Sequence, residues 1–371
     1  MYLSNIHPSS QDMISISPSS WLLVISSLVA VTSAKPFPRN VPHGHCGSFT
    51  SSLTIVETSK DATSAEETVV TSLAIEAALA SATSSSSASA ATTSSISSVA
   101  SSVSLSSTFV YELDAQSVTS PEITTDTGLI VNADVYIVDG EGTSEDTIAQ
   151  YHADGKSVIC YFSAGTWEPG RSDADDFDPA CVCGTGGSFA DNACSSDDNK
   201  LSDWDEWWLD IHSASCISKV ESIMSARISS FVAKGCDGVD PDNVDSFANS
   251  DQLHGNTADD QVNYLLWLSS IARGQGLMID LKNAGSLLVD DNGDATSYQS
   301  EIVEAFDFVV IESCHEYEEC DIYDSFLAAG KPEIQIEYGD ITTCPSLQDG
   351  QHLLVYSQND LSSALITLEC D

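Results

Sequence analysis

From residue 109 onward, short apolar runs alternate with stretches of helical periodicity. Eight such runs stand at 109–113, 135–138, 158–162, 238–240, 277–281, 308–311, 333–336 and 353–356. Their length, and their lack of polar alternation, are those of strands buried on both faces of a parallel sheet. Amphipathic segments lie between them at 147–153, 216–234, 257–273, 298–305 and 321–329. Thr257 and Asp260 have the spacing of a capping box with Asp in place of Glu, and Gly155, Gly235, Gly274 or Gly276, and Gly330 stand where helices take C-terminal caps. Eight strands alternating with helices over roughly 260 residues predict an α/β chain built as a (β/α)8 TIM barrel. The competing architecture, an open doubly wound sheet, would show a Gly-rich phosphate turn after an early strand. The chain has none.

In a barrel the active site lies at the C-terminal ends of the strands. Those ends are polar here. The run at 238–240 leads into Asp240-Pro241-Asp242-Asn243-Val244-Asp245, while Lys282 and Asn283 follow the fifth run, Glu312 the sixth, and Glu337 and Tyr338 the seventh. Crowded carboxylates at buried strand ends cost repulsion and desolvation, so they mark a site that binds a metal, a cation or a reacting sugar.

Two carboxylates facing each other across a barrel mouth are what glycoside hydrolysis needs: one protonates the leaving oxygen, the other attacks the anomeric carbon or activates water. Asp242, or Asp240 beside it, and Glu312 are the candidate catalytic pair. Pro241 makes the turn between the two aspartates rigid, so that only one reaches the scissile bond. Asp245 fits a helix cap or a partner of a catalytic acid. Lys282, a scarce cation at a buried strand end, requires a carboxylate partner, and its expected role is to keep a catalytic acid ionised. Asn283 and Asn243 can bond sugar hydroxyls. Arg171 is a second scarce cation, in the loop after the third run. Trp204, Trp207 and Trp208 offer aromatic faces to a pyranose, although helix packing explains Trp207 and Trp208 equally well. No His ligand stands near these acids, so no metal and no cofactor is expected.

The first 108 residues are of a different kind. The run at 21–34 has the length of a signal-peptide core with cleavage after Ala34, short of a membrane span. Ser and Thr fill 19 of the 28 positions from 81 to 108, which reads as a disordered, O-glycosylated stalk over 35–107. The folded domain is expected at 108–371. Ten of the eleven cysteines lie in it, leaving Cys46 alone; this supports an oxidising compartment. Cys314 and Cys320 are spaced for a local bridge, and Cys181, Cys183 and Cys194 for a loop staple. The formal net charge is −44, of which residues 109–371 carry −41, from nine Lys or Arg and 50 Asp or Glu. Such a field repels nucleic acid and anionic membranes and attracts cations. Adaptation to acidic surroundings would account for it as well.

Together, the stretch at 158–165 with Tyr161, then Arg171, the turn from Gly238 to Asp245, Leu281-Lys282-Asn283, Glu312 with Cys314 and Cys320, and Glu337-Tyr338 resemble glycoside hydrolase family 114, the endo-α-1,4-polygalactosaminidases. The resemblance covers 108–371 and implies a (β/α)8 barrel that hydrolyses α-1,4 bonds in galactosamine-containing polysaccharide without a cofactor. It places the motif acids on Asp242 or Asp240 and on Glu312. By analogy with α-galactosidase-type barrels, Asp242 is the nucleophile or base and Glu312 the acid/base. Tyr161, Arg171, Asn243, Asp245, Lys282, Asn283, Glu337 and Tyr338 are the residues expected to bind substrate. The expected partner is a polycationic de-acetylated polymer, met outside the cell at the fungal wall by a monomeric protein. Other readings are a different α-glycosidase for galacto-configured sugars, and a carbohydrate-binding wall protein without catalysis. A cysteine-bearing insertion at 181–194, Ser313 where Gln is usual, and an expanded 289–299 depart from the family pattern.

Overall fold

The computed structural model describes residues 103–114 and 121–371, apart from 203, 250, 340 and 360. The expected signal peptide, most of the expected stalk and Cys46 lie outside these residues. The eight apolar runs form eight parallel strands: β1 (Phe109–Glu112), β2 (Val135–Asp139), β3 (Ser157–Ser163), β4 (Gly238–Asp242), β5 (Met278–Lys282), β6 (Phe308–Glu312), β7 (Glu333–Tyr338) and β8 (Gln351–Tyr356). They are hydrogen-bonded in chain order and curl into the expected α/β barrel. Nearly all apolar residues of the runs, from Phe109 and Val110 to Leu354, are buried, because each strand is covered on both faces.

A ninth strand, β9 (Ile366–Cys370), was not visible as an apolar run. It pairs antiparallel with β8, where a closed barrel would pair β8 with β1. The seam between β8 and β1 is instead bridged by side chains. Tyr356 Oη donates to the Tyr111 carbonyl at 2.7 Å and accepts from the Tyr111 N–H at 3.2 Å, and His352 Nε2 meets the Phe109 carbonyl at 3.1 Å. Both residues reach across from one strand to the backbone of the other, satisfying edge groups that a ladder would otherwise pair.

The helices are α1 (Glu145–Ala153), α2 (Ala214–Lys234), α3 (Ala258–Gly274), α4 (Gln299–Ala305), α5 (Cys314–Tyr317) and α6 (Asp324–Ala328). Strict strand–helix alternation was expected; among the described residues no helix separates β1 from β2 or β7 from β8. The capping box at Thr257 and Asp260 forms in both directions. Gly235 ends α2 in the left-handed region at φ 95°, which a residue without a side chain adopts freely.

The segment between β3 and α2 is held by Cys181–Cys216 and Cys183–Cys194, and Cys160–Cys236, Cys314–Cys320 and Cys344–Cys370 complete the pairing. Buried Arg227 on α2 adds a bidentate bond to Asp173, at 2.7 Å for both contacts, and one to the Ser163 carbonyl at 2.8 Å. These ties bring the segment over the C-terminal ends of β3 and β4. No helix among the described residues is long and apolar enough to cross a membrane.

Candidate active site

The C-terminal strand ends line a cavity of about 490 Å³. Position along each strand explains which side chains reach it. On β4, residues 238, 240 and 242 share the inward face, so Asp242 stands at the rim and Asp240 one layer below. Pro241 has no N–H for a ladder; β4 and β5 are registered only at Gly238–Met278 and Val239–Ile279, below it. Immediately past the strand ends, Asn243, Asn283 and Ser313 have φ of 60°, 52° and 56°, a left-handed turn that Asn tolerates better than most side chains. Gly165 is needed opposite: a Cβ there would come within 1.6 Å of the Asn243 carbonyl oxygen.

Lys282 is at the centre. Its Nζ lies 3.0 Å from Asp242 Oδ1 and 2.7 Å from Glu312 Oε2, although the side chain is only 2 % exposed. Burial alone would strip its proton, but Asp242, Glu312 and Asp240 outweigh it and hold the ammonium form more firmly than usual. Glu312 also accepts from Asn283 Nδ2 at 3.0 Å and from the Tyr338 hydroxyl, while its own backbone N–H donates to Asn283 Oδ1 at 2.9 Å. Burial pushes this carboxyl up, and the Lys282 ammonium with its hydrogen bonds overrides that and holds it well below the usual range. Asp242 accepts from the Tyr161 hydroxyl at 3.1 Å.

Of the residues expected from sequence, Asp242, Glu312, Tyr161, Arg171, Asn243, Asp245, Lys282, Asn283 and Tyr338 all line the cavity. Two do not. Asp240 is fully buried beneath it, bonded to the Tyr111 hydroxyl. Glu337 is 1 % exposed and accepts the His315 N–H of α5 at 2.7 Å; residue 338 faces the barrel interior, so 337 faces the helix layer. Asp245 does not cap the short helical turn after it. Burial and the neighbouring Asp242 raise its carboxyl to about 6. Arg171 is not free to bind a substrate anion, because it is locked between Asp139 at 2.6 Å and Glu168 at 2.7 Å.

Sequence reasoning missed three cavity carboxyls. Asp139 ends β2 and would have been found by extending the strand-end pattern to the second run. Glu168 follows Trp167 in the loop after β3. Glu206 sits within the Trp-rich segment, where attention fell on the indoles; it accepts from Thr166 Oγ1 at 2.5 Å and from Asn243 Nδ2 at 3.2 Å. Burial, and next Glu168, push Glu206 up to about 7. Among the described residues the cavity thus holds six carboxyls against two cations, and through Glu168, Arg171 and Trp204 it continues into a shallower recess.

The model of glycoside-hydrolase family GH114 matches residues 86–367, three quarters of the chain, spanning the C-terminal ends of β1 to β8. The chain belongs to glycoside-hydrolase family GH114. In the crystal structure of Aspergillus fumigatus Ega3 in complex with galactosamine, the matched protein is 29% identical, with a TM-score of 0.52 over 72% of this chain and 96% of that one. The glycoside hydrolase domain of PelA from Pseudomonas aeruginosa matches at 14% identity and a TM-score of 0.41, over 63% of this GH114 chain and 84% of the PelA chain. No curated protein sequence matches.

Proposed function

We propose that this GH114 protein is a secreted endo-α-1,4-polygalactosaminidase, cleaving galactosaminide bonds between Asp242 and Glu312. The observation that carries this reading is one buried ammonium, Lys282, clamped between those two carboxylates in a cavity with an excess of acids. A sugar bearing a free amine is a cation at neutral pH, and six carboxyls against two cations suit it better than a neutral sugar. The crystal structure of the similar Ega3 contains galactosamine.

Asp242 attacks the anomeric carbon and Glu312 protonates the leaving oxygen. The two contacts of Lys282 bound the separation of the oxygens it holds at 5.7 Å. This favours the retaining arrangement, with carboxyls about 5–5.5 Å apart, over the inverting one at about 6.5–9.5 Å. The shared ammonium supplies the required change of role. Drawn towards Asp242, it keeps the nucleophile ionised and releases Glu312 to carry a proton. Once Asp242 is esterified and neutral, Lys282 returns to Glu312, and the carboxylate so stabilised activates water.

Asn243 and Asn283 present amides beside the reacting pair, and Glu168 and Glu206 offer carboxylates to an ammonium. The recess beyond Trp204 gives the polymer a path away from the cleavage point, as endo action requires. The test is a panel of de-acetylated α-1,4-galactosaminan, its fully N-acetylated form and α-1,4-galactan. Oligomer release from the first, at least tenfold faster than from the others, is expected; equal release from galactan would make the protein a general galacto-specific α-glycosidase.

A further inference from the structure

The barrel interior holds a second carboxyl pair, beneath the one that flanks the substrate. Asp240 on β4 and Asp280 on β5 are both fully buried. Asp240 and Asp280 each stand one residue past the last registered pair, Val239 with Ile279, on strands about 4.8 Å apart. Each carboxyl acts on the other, and a hydrogen bond between them needs a hydrogen on one, because an ionised carboxylate only accepts. The Tyr111 hydroxyl donates to Asp240 Oδ2, while Asp240 Oδ1 and both Asp280 oxygens find no N–H or O–H donor.

The groups that face this pair are Tyr111 from β1, Tyr161 from β3, Asp242 from β4 and Lys282 from β5. On β6 the register sets Phe308, an apolar residue, beside Asp280. Lys282 is the single cation among these groups. Its Nζ is already committed to Asp242 and Glu312, and it also lies 5.8 Å from the centre of the Tyr111 ring. Two adjacent buried carboxyls without a cation of their own cannot both ionise. Burial drives both above the usual carboxylate range; Asp240 adds to the rise at Asp280, whereas Asp280 draws Asp240 back down in part, as expected when one of the two carries the hydrogen and the other accepts it.

We infer that Asp240 and Asp280 share one proton, and that this acid–carboxylate pair is a positioning element that leaves the Lys282 ammonium to Asp242 and Glu312. A doubly ionised pair would draw the ammonium down into the barrel, away from the reacting carboxylates. Loss of the shared proton therefore sets the alkaline limb of activity. That consequence rests on the hydrolytic reading above, whereas the shared proton itself does not.

Infrared difference spectroscopy on the full chain tests the proton without any substrate. At pH 7 the wild type is expected to show a protonated-carboxyl stretch that shifts in D2O and is missing from Asp280→Asn. Because Glu206 and Glu333 are also pushed up, to about 7, the difference between the two proteins is the readout. Tyr111→Phe, which removes the donor to Asp240, is expected to move the same band, so the test survives a poorly folding Asp280→Asn. In kcat/KM against pH, Asp280→Asn is expected to move the alkaline limb upward by about one pH unit or more, because its amide cannot lose the shared hydrogen. A band that is absent from wild type, or unchanged in both variants, overturns the inference, and so does an unmoved alkaline limb. Inactivity of the wild type on galactosaminan with the band present would count against the substrate alone.

Discussion

The ammonium of Lys282 lies 2.7 Å from the carboxylate of Glu312, at a side chain that is only 2 % exposed. An ion pair so far from solvent gains little net stability over an apolar packing, yet breaking it leaves an uncompensated buried charge. Asp242 shares the same ammonium, so the site stands or falls as a unit of three. Lys282→Met should therefore cost about 3–5 kcal/mol in urea unfolding. It should also lower kcat by about 10²–10⁴-fold, the usual worth of correctly ionised acid and base groups. Glu312 gives the sign of the pH effect. Its folded carboxyl is held below its unfolded value, so its contribution is present above the ordinary range near 4.5 and is lost as pH falls below it. Lys282→Met should abolish that acid-side loss.

On the other side of neutrality the sign reverses. Burial raises Glu333, fully enclosed and bonded to Gln351, to about 7, and Asp245 to about 6. Groups raised on folding stabilise fully below their unfolded values and lose that contribution as pH rises through the folded ones. Thermal unfolding should therefore be higher at pH 5 than at pH 7.5. Glu333→Gln, which cannot titrate, should flatten the curve between those values.

Charge steering gives a third expectation. With −41 on residues 109–371, kcat/KM on a polycationic galactosaminan should fall at least tenfold as salt rises from about 0.01 M to 1 M, where the Debye length shrinks from about 30 Å to 3 Å. A fully N-acetylated oligomer should show no such dependence. Equal salt responses for the two substrates would show that the field does not steer the polymer.

The Cys181–Cys216 bridge closes a sequence separation of 35 residues and anchors the segment that carries Trp204 and Glu206 to the cavity wall. The paired Cys181→Ala, Cys216→Ala variant should lose about 2–4 kcal/mol by denaturant unfolding. KM should rise more than kcat falls, because the proposed reacting pair on β4 and β6 is untouched.

The barrel and the residues proposed to react were legible because both write themselves into strands. Buried parallel strands leave uninterrupted apolar runs, and Asp242, Lys282, Glu312 and Tyr338 sit at or just past their ends. β9 left no such signal: Thr367 and Glu369 interrupt it, since this antiparallel edge strand is only part-buried. Glu337 misled because a strand end has two faces, and only alternation from Tyr338 tells which one enters the cavity. Glu168 and Glu206 stand on loops whose path is set by disulfides and by the Arg227–Asp173 pair, contacts distant in sequence. Asp240 and Asp280 could be seen as acids, but their pairing needs the register of β4 on β5.

The most direct test is oligomer release from purified de-acetylated α-1,4-galactosaminan by wild type, Asp242→Asn and Glu312→Gln, with folding checked by thermal unfolding. The account predicts release by wild type and a loss of at least about 10³-fold in each folded variant. Release at near wild-type rate by either variant would contradict the assignment of Asp242 and Glu312 as the reacting pair.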